Sequence, residues 1–201
     1  MSAAFIEAIK ERRSIYTLTS ESTIPDDKIV EIVSEAVKHT PSSFNAQSSR
    51  AVVLFGDEHK KVWQLVLDTL KPIVPADQWG ATEGKVNGCF AAGHGTVLFF
   101  EDSVPVKKLQ DAFPIYADNF PGWSQHSSAI LQFIIWTALA KEGLGATLQH
   151  YNPLITQQVL STWGLPDTWS LVAQMPFGKP SAPAGAKEFS PVEERVKVFG
   201  K

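Results

Sequence analysis

Apolar residues recur along this chain at two spacings. Phe5, Ile6 and Ile9 share one side of an opening helix that Ser2 can cap and that ends near Arg12-Arg13. Ile29, Ile32, Val33, Ala36 and Val37 repeat the pattern behind Thr23-Ile24-Pro25. There Pro25 suits a first turn, Asp26 and Asp27 complement the dipole, and Pro41 ends the helix. Val62, Leu65, Val66 and Leu70 mark a third helix, and Pro153–Trp163 another, while Val106–Tyr116 is weakly helical. Ser127 to about Glu142 is apolar on nearly every side, which predicts a helix buried within the domain or against a second subunit. Shorter apolar runs predict strands at Ala51–Phe55, Thr96–Phe100 and Leu171–Phe177, with a strand edge at Ala146–Gln149. Arg195–Phe199 alternates as a terminal strand does. Thr40–Arg50, Pro72–Gly80 and Gly178–Lys187 read as loops. The order lacks regular βαβ spacing, so the prediction is one α+β domain over residues 1–201, a sheet with helices around it.

Composition narrows the partners. With 44% hydrophobic and 19% charged residues in 201, the chain can build a core of ordinary size. A formal charge of -3 offers no footprint for nucleic acid or an anionic membrane, leaving small molecules and protein chains. The longest apolar run, Ala129–Ala140, contains Gln132 and Thr137 and is too short to span a bilayer. Cys89 is the only cysteine, so no intrachain disulfide forms and a reducing compartment is expected. Glu7 and Glu11 among the basic residues of the first turns resemble no leader peptide. The cytoplasm is the expected location, with the nucleus also open in a eukaryote.

Signatures of dinucleotide folds, phosphate loops, zinc proteases and serine hydrolases are absent, and none of the five histidines is paired at metal-ligand spacing. Three polar patches remain. Arg12-Arg13-Ser14 follows a helix end, where two guanidinium groups and a hydroxyl can clamp a phosphate or simply complement the dipole. Pro41-Ser42-Ser43-Phe44-Asn45-Ala46-Gln47 carries donors and acceptors suited to a heteroaromatic edge, or bonds to its own backbone. Glu142-Gly143-Leu144-Gly145-Ala146 lets a flat ring approach the backbone, or caps a helix. Lys179 and Lys187 can reach a phosphate or stay solvated.

Taken together and in order, A-I-x-x-R-R-S, P-S-S-x-N-x-Q, E-G-L-G-A and F-G-K-P resemble the nitroreductase family over essentially the whole chain. The strings H-T-P-S-S-F-N-A-Q-S-S-R, G-T-V-L-F-F-E-D and G-L-G-A-T-L-Q-H-Y-N-P resemble its short subfamily of fungal and lactic-bacterial proteins linked to fatty-acid repression. The resemblance implies an α+β nitroreductase-like fold, with a mostly antiparallel central sheet flanked by helices, in an intertwined homodimer that holds FMN at the subunit interface. It implies that Arg12, Arg13 and Ser14 hold the FMN phosphate, ribityl chain and one ring edge. Ser42, Ser43 and Asn45 then come from the other subunit, Gln47 lies near the pyrimidine edge, and Gly143, Leu144 and Gly145 lie beside flavin N5. Lys179 or Lys187 completes the phosphate site.

The implied chemistry is reduction by NADH or NADPH followed by ping-pong transfer to an electron-poor nitroaromatic or quinone, with no catalytic side chain beyond the flavin. Phe44, Trp79, Phe113, Tyr116, Phe120 and Trp123 are candidates to line the acceptor side or to pack in the core. Where many relatives carry a lysine soon after the R-x-S triplet, this chain has Tyr16, which leaves Arg13 or Lys85 to stabilise negative charge on the ring. The longer active-site insert of larger relatives is missing. Other readings are a flavin-binding regulator of lipid or stress responses, reduction of free flavin or dehalogenation on the same fold, and a flavin-free interaction protein.

Overall fold

In a computed structural model, residues 2–201 are described. Helix α1 spans Ser2–Glu11, strand β1 Leu18–Thr19, α2 Asp26–His39, β2 Ser49–Phe55, α3 Gly56–Leu70 and α4 Ala76–Lys85. Then follow β3 (Gly95–Asp102), α5 (Ser103–Ala112), α6 (Phe120–Lys141), β4 (Gly145–Ala146), α7 (Thr156–Trp163), β5 (Trp169–Pro180) and α8 (Val192–Arg195). The strand order is β1-β5-β3-β2, every pair antiparallel, with β4 also on β5.

β3 shows why G-T-V-L-F-F reads as an unbroken apolar run. Side chains alternate across a strand, and both faces of this one are covered. Val97 and Phe99 join α2 and α6 in one core layer, whereas Leu98 and Phe100 join α3 and α7 in the other. Ala173, Met175 and Phe177 of β5 point to the α2–α6 side. Between Phe99 and Phe100 the register jumps from Ala173 to Leu171, a bulge that turns Leu171 to the α3–α7 side.

Three elements differ from the sequence-based expectation. Pro72–Gly80 is not wholly loop: α4 starts behind Pro75 and runs into a π-helical turn over Val86–Ala91, anchored by buried Val86 and Phe90. Its own apolar periodicity is faint, so tertiary anchoring decides it. α6 begins at Phe120 rather than Ser127, with Pro121 in its first turn, where a missing N–H costs nothing. Arg195–Phe199 forms no strand within one copy; beyond α8 the tail is exposed, Phe199 at 91%. Conversely, F-G-K-P belongs to the end of β5, where a Cβ on Gly178 would lie 2.2 Å from the Thr19 carbonyl oxygen. Only glycine lets β1 close against β5 there.

Candidate active site

The sequence motifs gather into two groups at opposite ends of α6. At its C-terminal end, the segment leaving α1 runs beside β4: Ser14 bridges Ala146, and the Ile15 N–H donates to the Ala146 carbonyl at 3.0 Å. The Trp136 indole N–H donates to the same carbonyl at 3.1 Å, and the Arg12 guanidinium lies 4.2 Å over the Trp136 ring. Arg12 Nε is buried without a hydrogen-bond partner among the described residues. Burial first, and the adjacent Arg13 charge second, lower the Arg12 pKa from its ordinary value.

Glycine geometry permits this junction. Gly143 turns the chain out of α6 at φ +80°, while the preceding Glu142 carbonyl accepts from the Thr23 hydroxyl at 2.6 Å. A Cβ on Gly145 would lie 2.9 Å from both Cβ and Cγ2 of Ile15. Thus the segment that carries Arg12, Arg13 and Ser14 runs on through Ile15 beside Gly145 and Ala146. Arg13 Nη2 donates to the Gly185 carbonyl at 2.8 Å and ties in the late loop.

The remaining cations divide. Lys179 is paired with Glu21 at 2.7 Å, whereas Lys187 is exposed with its ammonium 5.1 Å from the Phe189 ring centre. Tyr16 and Lys85 meet across Phe90, the phenol ring 6.4 Å and the ammonium 5.9 Å from it.

The second group is the turn after α2. Ser42 Oγ accepts from the Gln47 N–H at 3.0 Å, and the Asn45 and Ala46 amides donate to the Ser42 and Ser43 carbonyls. Phe44, Asn45 and Gln47 have φ of 54°, 53° and 49°. Asparagine tolerates this left-handed region, but phenylalanine and glutamine seldom enter it, and such strain concentrates at functional sites. Asn45 and Gln47 are exposed. The Phe44 ring packs at 4.8 Å on Phe113, 5.3 Å on Phe120 and 6.3 Å on Trp123, the last nearly parallel. Tyr116 completes this wall at 6.0 Å. Trp79 is not part of it and packs against the α3–α7 layer.

Trp123, beside the strained loop, and Trp136, beside Arg12, are thirteen residues apart on α6, which at 1.5 Å per residue puts roughly 20 Å between the two tryptophans along the helix axis.

Several relevant residues were not singled out from sequence. Trp136 reads as one more apolar position in a buried helix, because its polar indole edge has no periodic signature. Arg50, Glu101 and Asp102 lie in S-S-R and F-E-D, strings that carry family resemblance but no familiar catalytic spacing. Antiparallel pairing of Arg50 with Phe100 brings them together. Elsewhere, buried His59 donates from Nε2 to the Ala91 carbonyl at 3.2 Å and takes a bond from the Thr96 hydroxyl at Nδ1, 2.8 Å, while Thr96 accepts from Trp63. That arrangement holds the neutral ring, and burial lowers the His59 pKa to about 4. Among the described residues no helix is long and apolar enough to cross a membrane, and no three His, Cys, Asp or Glu side chains cluster as metal ligands.

The antiparallel sheet with its two helical layers and these ordered polar turns defines a nitroreductase fold. The family model described as "Nitroreductase family" matches residues 9–179. The chain is 36% identical over 199 residues to the putative nitroreductase HBN1 of Saccharomyces cerevisiae, covering 98% of this chain and 97% of that protein. It superposes on the nitroreductase CinD from Lactococcus lactis in complex with chloramphenicol with a TM-score of 0.88 at 44% identity, covering 98% of this chain and 100% of CinD. The CinD complex with 4-nitrophenol gives the same values. The chain belongs to the nitroreductase family, a family of flavin-dependent oxidoreductases.

Proposed function

We propose that this chain is an FMN-dependent NAD(P)H oxidoreductase that works as a homodimer and reduces nitroaromatic and quinone-type acceptors. One observation carries the reading: the motifs that resemble the family's form two groups near opposite ends of α6, an arrangement that suits a site completed by a second copy. A two-fold dimer sets the first half-site of each copy against the second of the other.

The residues fit the cofactor. Arg12 offers a buried, unpartnered N–H beside a second cation, Arg13, which suits a phosphate dianion. Ser14 and the backbone of Gly143, Leu144 and Gly145 take one side of the ring. Ser42, Ser43, Asn45 and Gln47 reach in from the second copy. Lys187, on the loop that Arg13 holds, is the late-loop cation in this proposal, because Lys179 already pairs with Glu21. Tyr16 and Lys85, both close to the Phe90 ring, are the residues assigned in this proposal to support charge on the flavin ring. FMN, when bound, supplies the reversible two-electron chemistry that side chains lack.

The protein's own part is to orient that ring and to leave one face open. NADH or NADPH and the acceptor use that face in turn, so turnover is ping-pong. Phe44, Phe113, Tyr116, Phe120 and Trp123 give it an apolar wall suited to flat, electron-poor rings. The CinD structures with chloramphenicol and 4-nitrophenol, both nitroaromatics, favour that acceptor class.

The exposed tail suits a contact between copies in this proposal. Among the described residues β2 pairs only with β3, and between α2 and β2 Val30, Val37 and Val53 line an open groove of about 590 Å³. The alternating tail, with Val196, Val198 and Phe199 bare, can cover such an edge in a second copy. The experiment is an anaerobic absorbance titration of purified protein. Flavin absorbance that NADH or NADPH bleaches and 4-nitrophenol or menadione restores is the expected result. Bound FMN that no dinucleotide bleaches contradicts the enzyme and favours a flavin-binding regulator.

A further inference from the structure

The Pro41–Gln47 turn holds two ill-suited residues, Phe44 and Gln47, in left-handed conformations, so something beyond its own hydrogen bonds must keep it there. Arg50, at the start of β2, is placed to do so. Its Nη1 donates to the Gln47 carbonyl at 2.6 Å and to the Ser49 carbonyl at 3.1 Å, and its Nη2 donates to Asp102 Oδ2 at 2.9 Å. Asp102 is itself fixed, since its backbone N–H donates to the Ser48 carbonyl and its Oδ1 accepts the Val104 N–H at the start of α5. Between loop and strand, the Ser48 hydroxyl donates to Glu101 Oε2 at 2.6 Å and the Ser49 hydroxyl to Glu101 Oε1. Every residue from Gln47 to Arg50 is thus tied to the carboxyl end of β3. A guanidinium can do this because it presents several donors in a rigid plane; an ammonium offers three from one point.

We propose that Arg50, anchored on Asp102, is a positioning residue that holds the strained turn in its flavin-binding form, with Glu101 fastening Ser48 and Ser49. Arg50 need not touch the cofactor. It acts through the Gln47 carbonyl and so sets where Ser42, Ser43, Asn45 and Gln47 point. The inference rests on the assignment of that turn to the FMN site.

The test measures FMN dissociation constants and hydrogen exchange at residues 42–47 in wild type, Arg50→Ala, Arg50→Lys and a control, Val159→Ala. Val159 is fully buried on α7 in the opposite core layer, so its truncation lowers the melting temperature without touching the turn. Arg50→Ala is expected to weaken FMN about ten- to hundredfold, the range for losing a charged hydrogen bond, and to speed exchange across the turn. Arg50→Lys, which keeps the charge near Asp102 but loses the fork, is expected to recover part of both. Val159→Ala is expected to bind FMN as wild type does even at an equal loss of melting temperature. If Arg50→Ala does not fold, Arg50→Lys carries the test through its own weaker binding and faster exchange. Wild-type affinity together with wild-type exchange in the Arg50 variants overturns the proposal, as does an equal loss of affinity in Val159→Ala. Failure of the wild-type protein to bind FMN strikes the flavin assignment instead, and exchange at 42–47 still reports whether Arg50 braces the turn.

Discussion

Arg12 and His59 meet burial in opposite ways. Arg12 stays cationic because no protein pKa shift brings a guanidinium near neutrality, so it sits stacked on Trp136 with Nε unpaired, a state that an anion relieves. Arg12→Ala is therefore expected to cost about 1.5–3 kcal/mol of FMN binding, read as a weaker dissociation constant by fluorescence titration; unchanged affinity removes Arg12 from the phosphate site. His59 can give up its proton, and burial makes it do so. Its folded-state pKa of about 4 lies below the unfolded value of 6.5, so between those pH values the native state binds fewer protons. Stability from this residue is complete above pH 6.5 and is lost as the pH falls through that window, by about 3 kcal/mol in all. Urea denaturation at pH 7 and pH 4 is expected to show that much less acid destabilisation in His59→Gln than in wild type. Equal slopes contradict a buried neutral His59.

At the scale of elements, the junction of β4 with the Arg12–Ile15 segment depends on Gly145 having no side chain. Gly145→Ala places a methyl 2.9 Å from two Ile15 carbons, overpacking expected to cost about 1–3 kcal/mol in denaturant unfolding and to weaken FMN retention by pushing Ser14 off Ala146. Wild-type stability in that variant means the contact relaxes freely. The glycine pair was legible in the sequence as a place of close approach, although within one copy what comes close is Ile15 at Gly145 and, less tightly, Thr23 at Gly143. Elements with strong periodicity, such as α2 and β3, were also legible, because period and burial agree in them. α4 was not, since its anchors Val86 and Phe90 lie past its end. The bulge opposite Phe99 and Phe100 leaves no mark in the pattern of β5, yet it sends Leu171 to the other core layer. The strained loop was legible as polar and unperiodic, but its brace was not, because Arg50 and Asp102 meet only through strand pairing.

At the scale of the whole molecule, α6 is the organising element. Its length holds two groups of polar motifs apart, its apolar middle joins the α2 core layer, and a tryptophan near each end lies beside one of those groups. The resemblance carried by motif order divides the same residues between two subunits, and the proposed shared site puts one group of motifs from each copy on one flavin. The measurement that tests this most directly is complementation between two defective proteins. Arg12→Ala lacks one half-site, and a Ser43→Ala, Asn45→Ala double variant lacks the other, so each alone is expected to retain little FMN. Refolded together in equal amounts, half of the two-fold dimers are mixed and each mixed dimer carries one intact site, so FMN binding is expected to return to about a quarter of the wild-type sites. Mixtures that bind no more FMN than the separate variants, or a wild-type monomer that holds FMN stoichiometrically, contradict a site shared between two copies.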